Sequence, residues 1–518
     1  MIGAGMGGLA AAARLATAGH DVVVCEAAET VGGKLGLATV DLPGVGQFRF
    51  DTGPSLVTMP YVFTDLFAAT GGWPADLTLE PLQPTARYRF ADGATFDADG
   101  DLDTFCRHLD ATLLPGSGDD WRRFTERARR IWQASRGPFL ESPLDGPRTL
   151  ARLALTRPRD IAAIAPGRSL RSLGRQYLRD PRLRMYLDRY ATYTGSDPRG
   201  APAALAAIAF VEQEYGGWYV PGGLRRLGEA VHERALERGA KVLLGARVVR
   251  VSTSGGRVDG VLLADGQRLP ADVVVANADA AAVYGSTASA GRAGSAGSAG
   301  SAGSAGTSAA PGPLVDAPAA ARRLARATPS LAGFVLLLAV AGSTPGLAHH
   351  NVLFPDNYDA EFDAVFGATA QPVPDPTLYV SAPSDLAVHP AGHEAWFVLV
   401  NAPRHGTGPG AVDWRRPGVA ESYAEHLLDH LGRRGLPVRD RVLWSRTLTP
   451  ADLQEGTGAV GGAIYGTSSN GVTSAFLRPA NRSPVDGLFL VGGSAHPGGG
   501  LPLVTLSAQI VAGLIGPA

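Results

Sequence analysis

The chain has 518 residues, more than one ordinary core accommodates, so two or three domains are expected. Its 47 Lys and Arg against 48 Asp and Glu give a formal net charge of −1, which provides no electrostatic reason to expect a nucleic acid partner. Cys25 and Cys106 are the only cysteines, which excludes a disulfide framework and fits a reducing cytoplasmic compartment.

The first predicted elements are those of a doubly wound α/β domain. Residues 3–19 predict a glycine-rich turn followed by a helix, and residues 21–26 predict a short buried strand that ends in an acid. Only Met1 and Ile2 precede this turn, although the strand that leads into it normally has about five or six residues. We therefore expect the natural start to lie upstream of Met1, with the first strand truncated.

The rest of the chain predicts further helices and strands. Helical spacing of apolar residues predicts helices over residues 120–130, 170–187, 224–239, 421–431 and 505–514. Short apolar runs predict strands over residues 241–244, 248–251, 271–277, 334–340, 377–381, 395–400 and 486–491, and a hairpin of residues 257–263 with 267–269. The loop of residues 286–313 contains Ser-Ala-Gly repeats that bury nothing, so we expect it to be disordered.

The first motif with a chemical meaning is Gly-x-Gly-x-x-Gly, at residues 3–8. Gly3 permits the tight turn, Gly5 lets the backbone approach a pyrophosphate, and Gly8 lets the helix pack closely on the strand. The N–H groups at the start of that helix are expected to face the phosphates. Glu26, 18 residues after Gly8, is placed for a ribose diol, and an acid there disfavours NADP.

The second motif separates FAD from NAD. Gly32, Gly33 and Lys34 follow Glu26 after five residues, and they resemble the Gly-Gly-Arg/Lys extension of the flavoprotein class that contains amine oxidases and carotenoid desaturases. Two glycines let the chain pass close to a diphosphate, and a lysine cation there offsets its charge. The resemblance continues with three further expected contacts, Gly53, Pro54 and Ser55. The expected cofactor is therefore FAD.

The third motif is near the C-terminus, where a predicted strand leads into a glycine run and a helix begins after Pro502. In flavoproteins of this class that helix directs its N-terminus at the flavin pyrimidine edge, where free amides stabilise the negative charge left by hydride arrival at N5. Gly492, Gly493 and Pro502 are expected cofactor contacts, as is Val248. His496 is a candidate base or donor, and the alternative is that it only orders the glycine loop.

Two other patterns carry less weight. Residues 456–461 repeat the glycine spacing, but a predicted helical turn at residues 450–454 precedes them instead of a strand, so we expect no second nucleotide site. His349 and His350 are adjacent, and adjacent side chains rarely point at one ion. No cysteine or acid completes a ligand set beside them, so no metal is expected.

Several segments together resemble the bacterial carotenoid (phytoene) desaturases and cover nearly the whole chain outside residues 291–313. These segments are residues 3–8, 26–34, 271–279, 349–354, 362–366, 375–384, 461–466 and 496–498. Residues 190–202, 212–223 and 494–502 resemble the subgroup that acts late, at C-3,4 of hydroxylated or methoxylated acyclic carotenoids.

This resemblance implies an α/β fold: a Rossmann-like FAD-binding domain with an inserted α+β substrate domain and a helical, membrane-contacting region. The FAD-binding domain is expected to be discontinuous, with residues 1–75, 220–285 and 456–518. Residues 76–219 and 314–455 are expected to form the substrate-binding and helical domain.

The implied reaction is FAD-dependent desaturation of a long acyclic carotenoid, such as phytoene, neurosporene or a hydroxylated derivative. A hydride goes to flavin N5 and a proton leaves the neighbouring carbon; the polyene delocalises the developing cation, so a strong protein base is not required. The implied partners are the apolar polyene, an acceptor such as oxygen or a quinone, and the inner face of the cell membrane, on which a cytoplasmic protein would be peripheral. The Arg-rich residues 122–199 are either a solvated helix face or the surface that meets anionic lipid headgroups.

Three alternatives stay open. A saturase or isomerase would use reduced FAD on the same polyenes, and an amine-oxidase-like flavoenzyme would need an aromatic cage for a small amine. A non-enzymatic prenyl-binding escort protein would share the fold. The intact Gly3, Gly5, Gly8, Glu26 and Gly33 oppose this last alternative.

Overall fold

The computed structural model describes residues 1–144, 147–285, 312–471 and 478–518. The loop of residues 286–313, for which disorder is expected, lies outside these ranges except for Gly312 and Pro313. None of the helices within the described ranges combines the length and apolar character that crossing a bilayer requires.

The α-helices of the described residues are numbered α1 to α16 in chain order. They are Met6–Thr17, Tyr61–Thr70, Leu102–Thr112, Ser117–Ser135, Pro147–Thr156, Pro158–Ala163, Leu170–Tyr177, Pro181–Arg189, Ala206–Tyr215, Arg225–Glu237, Ala280–Tyr284, Pro318–Leu324, Tyr358–Phe366, Val419–Arg433, Pro450–Thr457 and Leu501–Ile515. Shorter helical segments are the π-helix Arg136–Leu140 and the 3₁₀ turns Thr192–Thr194, Ala203–Leu205, Arg439–Arg441 and Val460–Gly462.

The β-strands of the described residues are numbered β1 to β20 in the same way. They are Val23–Cys25, Leu37–Leu42, Gly46–Asp51, Glu80–Pro81, Ala86–Arg89, Thr95–Ala98, Trp218–Tyr219, Lys241–Leu243, Val248–Ser254, Arg257–Leu263, Arg268–Pro270, Val274–Ala276, Ala332–Ala341, His350–Leu353, Leu378–Ser381, His393–Ala402, Arg404–His405, Ala411–Val412, Val442–Leu448 and Leu488–Leu490.

A parallel sheet carries the N-terminal motif. Strand β8 pairs with β1, and β12 pairs with β20, all in parallel. Ile2 joins the two pairs, because it bridges in parallel to Cys25 on one side and to Ala276 on the other. The residue before the glycine turn therefore lies in the middle of the sheet. Helix α1 packs against α10 and α16, which confirms the predicted doubly wound α/β arrangement.

A mixed seven-stranded sheet forms the second layer, in the order β19-β13-β16-β15-β14-β5-β6. Its pairings are antiparallel except for β14 with β5. Strand β13, which lies between β19 and β16, is buried at all but its last residue, so both of its faces are covered, as its unbroken apolar sequence indicates. Because β5 and β6 come from residues 86–98, this sheet joins two distant parts of the chain.

Most predicted elements occur with small shifts of their ends, and one prediction was wrong. The expected single helix over residues 170–187 is two helices, α7 and α8. The Asp180 carboxylate accepts the backbone N–H of Arg182 and caps α8, while Pro181 occupies the first turn, where its missing N–H costs nothing. The hairpin of β10 and β11 is confirmed, with Val261 opposite Leu269. The expected domain boundaries stay a prediction.

Candidate active site

One cavity of about 1700 Å³ extends from the glycine turn of the parallel sheet to the side chains of the mixed sheet and the helical region. Sites for a single small molecule usually measure about 300–1000 Å³. The volume is therefore large enough for a dinucleotide and a second, extended molecule.

The glycine turn has the geometry its sequence predicts. Gly3 has φ +88°, a conformation that L side chains rarely adopt, and its N–H donates to Cys25 O over 2.8 Å. Helix α1 starts after Gly5 with no side chain capping its first amides, and Gly3, Gly5 and Gly7 line the cavity. Uncapped N–H groups at a helix N-terminus that line a cavity suit a phosphate.

Glu26 lies where a ribose is expected. It lines the cavity directly after β1, and its carboxylate accepts the N–H of Ala4 (2.6 Å) and the N–H of Ala28 (2.9 Å). These two bonds fix the carboxylate beside the glycine turn. An ionised carboxylate has further acceptor sites, so it can also receive the hydroxyls of a ribose diol.

The Gly32-Gly33-Lys34 segment crosses the cavity wall beside the glycine turn, with Gly32 N donating to Ala4 O over 2.8 Å. Gly32 has φ +112°, and a Cβ there would meet the guanidinium of Arg225, which donates to Val31 O. Sequence reasoning placed the Lys34 cation against a diphosphate. In the structure its Nζ donates to Ala463 O (3.0 Å) and Ile464 O (2.5 Å). Burial lowers the pKa of Lys34 to about 8, while Asp279 opposes this shift.

Gly53, Pro54 and Ser55 also line the cavity, as does Val248. Ser55 Oγ lies 2.6 Å from the hydroxyl of Tyr379, which is 2.9 Å from Nδ1 of His350. This chain of hydrogen bonds ties the N-terminal segment to strands β14 and β15 of the mixed sheet.

The C-terminal glycine run closes the cavity from the other side. Gly493 and Pro502 line it, and α16 begins after Gly500 with no side-chain cap, so its first amides are available there. His496 also lines the cavity. Its Nε2 donates to Ser142 O over 3.0 Å, and its backbone carbonyl accepts from the side chain of Asn481. These contacts favour an ordering role over proton transfer.

Gly8 and Gly492 do not line the cavity, although the sequence placed both in the cofactor site, Gly8 for close packing of the helix and Gly492 for direct contact. A Cβ on Gly8 would lie 2.2 Å from Gly3 O, and a Cβ on Gly492 would meet Oδ1 of Asn277. Both glycines therefore shape the turn instead of touching its occupant. Asn277 packs against this whole group, and sequence reasoning missed that role, although Asn277 is the last residue of a predicted strand.

Arg478 is a second residue that sequence reasoning missed. Its guanidinium donates to the carbonyls of Tyr465 (3.1 Å), Gly493 (2.7 Å) and Thr467 (2.7 Å), which joins the glycine run to the preceding loop. Burial lowers its pKa to about 10. A single arginine before a proline carries no sequence signal for this role. Among the described residues, no group of three or more His, Cys, Asp or Glu is arranged to hold a metal ion.

Comparison with known proteins agrees with this geometry. Residues 6–290 match the family described as flavin containing amine oxidoreductase. The fold is similar to that of putrescine oxidase bound to putrescine, with TM-score 0.62, 15% identity and coverage of 99% of this chain and 98% of that one. An oxidoreductase from Methanosarcina mazei gives TM-score 0.57 at 17% identity, with 99% of each chain covered.

Three curated relatives are similar over the full length. The hydroxyneurosporene desaturase of Cereibacter sphaeroides is 36% identical over 98% of this chain and 95% of its own. The 4,4'-diapolycopene oxygenase of Methylomonas sp is 34% identical, with 99% and 96% covered. The 1-hydroxycarotenoid 3,4-desaturase of Flavobacterium sp. (strain P99-3) is 29% identical, with 99% and 98% covered.

The fold and the glycine-lined cleft define a flavin-containing oxidoreductase of the amine oxidoreductase class, whose cofactor is FAD. Within that class, the chain belongs to the carotenoid desaturase family. The residues present fit FAD: the uncapped start of α1 suits a pyrophosphate, Glu26 suits a ribose, and the uncapped start of α16 suits an electron-rich ring edge.

Proposed function

We propose that this chain desaturates a long acyclic carotenoid in carotenoid biosynthesis. The observation that carries the proposal is the continuity of the dinucleotide cleft with a mainly apolar cavity, within one volume of about 1700 Å³. Two of the full-length relatives are named as desaturases of hydroxylated carotenoids. FAD, when bound, supplies a hydride acceptor.

The cavity wall explains how the chain would assist this reaction. Trp132, Ile164, Ile208 and Val211 line the cavity, and such side chains exclude water and hold a polyene by its apolar surface. Removing a hydride and a proton from neighbouring carbons forms the new double bond, and the two electrons pass on to an acceptor such as oxygen or a quinone. The main contribution of the protein is then the placement of one C–H bond.

The test is conversion of defined polyenes by the purified, FAD-loaded chain in liposomes. Phytoene, neurosporene and 1-hydroxyneurosporene are supplied separately with oxygen or a quinone, and the absorption spectrum and product mass are followed. The expected product has lost two hydrogens and absorbs at longer wavelength. A product that gains oxygen would instead place the chain with the oxygenases, and a product that gains hydrogen would indicate a saturase. Flavin-loaded protein that changes none of the polyenes would refute the proposal.

Peripheral attachment to the inner face of the cell membrane is part of this proposal. Pro166, Gly167 and Arg168 line the cavity and are exposed, so the cavity opens to the surface at this point. Earlier in the same helical region, separated from them by α6, helix α5 exposes 83% of Leu155. An exposed apolar side chain in a segment that leads to a cavity opening suits a surface from which an insoluble substrate enters.

The arginines of the helical region divide into two groups. Most are paired locally, as Arg123 is with Asp120 and Arg182 with Asp180, and these belong to an ordinary solvated face. Arg159, like Arg175 and Arg184, makes no ion pair within 4.0 Å among the described residues, and it lies in α6, between Leu155 and the cavity-lining residues 166–168 in the sequence. We propose residues 152–168 as the lipid-contacting surface, because this segment contains both the exposed Leu155 and the exposed cavity-lining residues 166–168.

Flotation with vesicles of phosphatidylglycerol and phosphatidylcholine tests this surface. Wild-type protein is expected to float at low salt and less at high salt, because the arginine contribution is screened. Replacing Leu155 and Arg159 by Glu should abolish flotation, while Arg250→Glu on the exposed face of β9 should leave it unchanged. Equal flotation of the two variants would contradict the assignment, and wild-type protein that never floats would contradict attachment itself.

A further inference from the structure

Arg478 is a buried cation whose hydrogen bonds do not account for its charge. Its side chain lines the cavity, and the residue is 9% exposed. All three of its hydrogen bonds go to backbone carbonyls, which a neutral donor could satisfy as well. Taking a charge out of water costs free energy, so a buried cation is expected to have a partner of opposite charge.

The protein itself supplies no such partner at close range. Among the described residues, no acid forms an ion pair with Arg478 within 4.0 Å. Asp279 acts on its pKa only against the larger effect of burial. The Asp279 carboxylate accepts the N–H of Ala281 (2.9 Å) and that of Val460 (3.1 Å), so it caps helix α11 and fixes the following loop. Because the pKa of Arg478 is about 10, the side chain remains a cation at neutral pH.

The position of Arg478 relates its charge to the end of the cavity where α16 begins. The guanidinium donates to Gly493 O over 2.7 Å, and a Cβ on Gly498 would lie 3.9 Å from its Cζ. Both glycines line the cavity, and Gly498 precedes by two residues Gly500, after which α16 starts. The charge of Arg478 and the uncapped amides of α16 therefore act on the same end of the cavity.

A ring that gains negative charge during the reaction is the partner that fits this end. The uncapped start of α16 suits the electron-rich edge of the flavin ring, and hydride arrival at N5 leaves negative charge on that edge. In a low-dielectric interior, a fixed cation nearby stabilises the charged, reduced ring more than the neutral, oxidised ring. The difference between the two states is what sets a reduction potential.

We propose that Arg478 stabilises the negative charge of the reduced flavin ring and thereby raises the reduction potential of the bound FAD. If Arg478 only joined the glycine run to residues 465–467, its hydrogen bonds would matter and its charge would not. The inference goes beyond the proposed function, because it concerns the cofactor and holds for whichever substrate the chain oxidises.

Two substitutions separate the charge of Arg478 from its hydrogen bonds. Arg478→Lys keeps the charge and loses the planar fork of donors, whereas Arg478→Gln keeps amide donors and loses the charge. Arg234→Gln is the matched control, because Arg234 is also buried and donates to the carbonyl of Gly72 (2.8 Å), but it lies outside the cavity lining. Flavin content and the melting temperature are recorded for each FAD-loaded variant.

Two readouts report the charge on the flavin ring without any polyene. In sulfite addition, a sulfur lone pair forms a bond to N5, and the electron pair of the ring's N5=C4a double bond moves toward N1 and O2. The adduct therefore carries the same negative charge as the reduced ring. The Kd for sulfite is measured from the loss of flavin absorbance, and the midpoint potential from a reductive titration against a reference dye.

The expected changes follow the charge. Arg478→Gln should raise the Kd for sulfite by about 10-fold to 100-fold, the range for loss of one interaction with a charged group. Its midpoint potential should fall by about 30–60 mV, because tenfold corresponds to about 30 mV for a two-electron couple. Arg478→Lys and Arg234→Gln should stay within about threefold of the wild-type Kd.

Unchanged values in Arg478→Gln, or equal changes in Arg478→Gln and Arg478→Lys, would overturn the inference. If Arg478→Gln does not retain FAD, wild type and Arg478→Lys decide: an adduct of equal affinity in both supports the inference. Wild-type protein that forms no sulfite adduct, or a loss of about 10-fold in Arg478→Lys, would overturn it. Inactivity of the wild type on every polyene would count against the proposed function alone, because neither readout uses a substrate.

Discussion

Substitution of Gly8 by alanine tests whether the close approach of α1 to the glycine turn determines cofactor binding. An added Cβ would lie 2.2 Å from Gly3 O and 3.1 Å from Cβ of Asn277. Ordinary contacts of a Cβ begin near 3.4 Å. The added methyl group would therefore lie about 1.2 Å too close to the Gly3 carbonyl oxygen. This oxygen belongs to the backbone, which cannot rotate away as a side chain can.

The cost follows from this geometry. Overpacking of a well-packed interior costs about 1–3 kcal/mol, and relief requires α1 to move outward by about 1 Å. That movement withdraws the first amides of the helix from a phosphate. If the cost falls on the bound state, the Kd for FAD rises by about 10-fold to 100-fold, since 1.4 kcal/mol corresponds to tenfold.

Titration of the apoprotein with FAD, followed by quenching of flavin fluorescence, measures this Kd. Gly432→Ala is the matched control, because it makes the same change inside helix α14, where an added Cβ would have nothing within 4 Å. Alanine is a better helix former than glycine, so the control should keep its FAD affinity and be stabilised by about 0.5–1 kcal/mol. Wild-type FAD affinity in Gly8→Ala would refute the steric reasoning.

Three further substitutions test other parts of the site. Glu26→Gln removes the charge of a carboxylate held by two amides, so the Kd for FAD should rise about 10-fold in the same titration, and an unchanged Kd would exclude Glu26 from the ribose site. His496→Asn should lower kcat/KM by less than about 10-fold and leave its pH profile unchanged, whereas loss of a general base would cost about 100-fold or more. Burial raises the pKa of Asp51 from 3.8 to about 6, against the opposing effect of N–H bonds from Leu224 and Arg225. The folded state thus binds this proton more tightly than the unfolded state. The stability that the bound proton contributes is present below pH 3.8 and is lost as the pH rises to about 6 and beyond. Urea titrations of wild type and Asp51→Asn measure this effect. The difference in their free energies of unfolding, wild type minus variant, should fall by up to about 3 kcal/mol between pH 4 and pH 7. A difference that does not change with pH would contradict a buried carboxyl with a raised pKa.

Much of the cofactor cleft could be predicted because its requirements are local. Gly3 and Gly32 need a positive φ, and Glu26 follows the first strand, so each of these requirements acts within a short stretch of chain. The Lys34 contacts could not be predicted in the same way. Its ammonium meets the carbonyls of Ala463 and Ile464, more than 400 residues later, and sequence spacing does not report such a meeting.

The boundary between helices α7 and α8 also depends on contacts that the sequence pattern does not predict. Residues 170–187 keep a helical apolar pattern throughout, and that pattern predicted one helix. The break at Asp180 depends on its carboxylate, which accepts the N–H groups of Arg182 and Leu114 and pairs with the Arg182 guanidinium. Periodicity records which face of a helix is buried and does not record where a capping side chain finds its partners.

By itself, the sequence determined the class of this protein: the glycine spacing and the acid after the first strand are backbone requirements of a dinucleotide site, and they predict an FAD-dependent enzyme. Only the tertiary structure decided the size of the cavity, the ordering contacts of His496, and the hydrogen bond between Ser55 and Tyr379. Those two residues are 324 positions apart, and Tyr379 belongs to β15. Their proximity results from how the N-terminal segment packs on the mixed sheet, and packing between distant segments leaves no periodic trace in the chain.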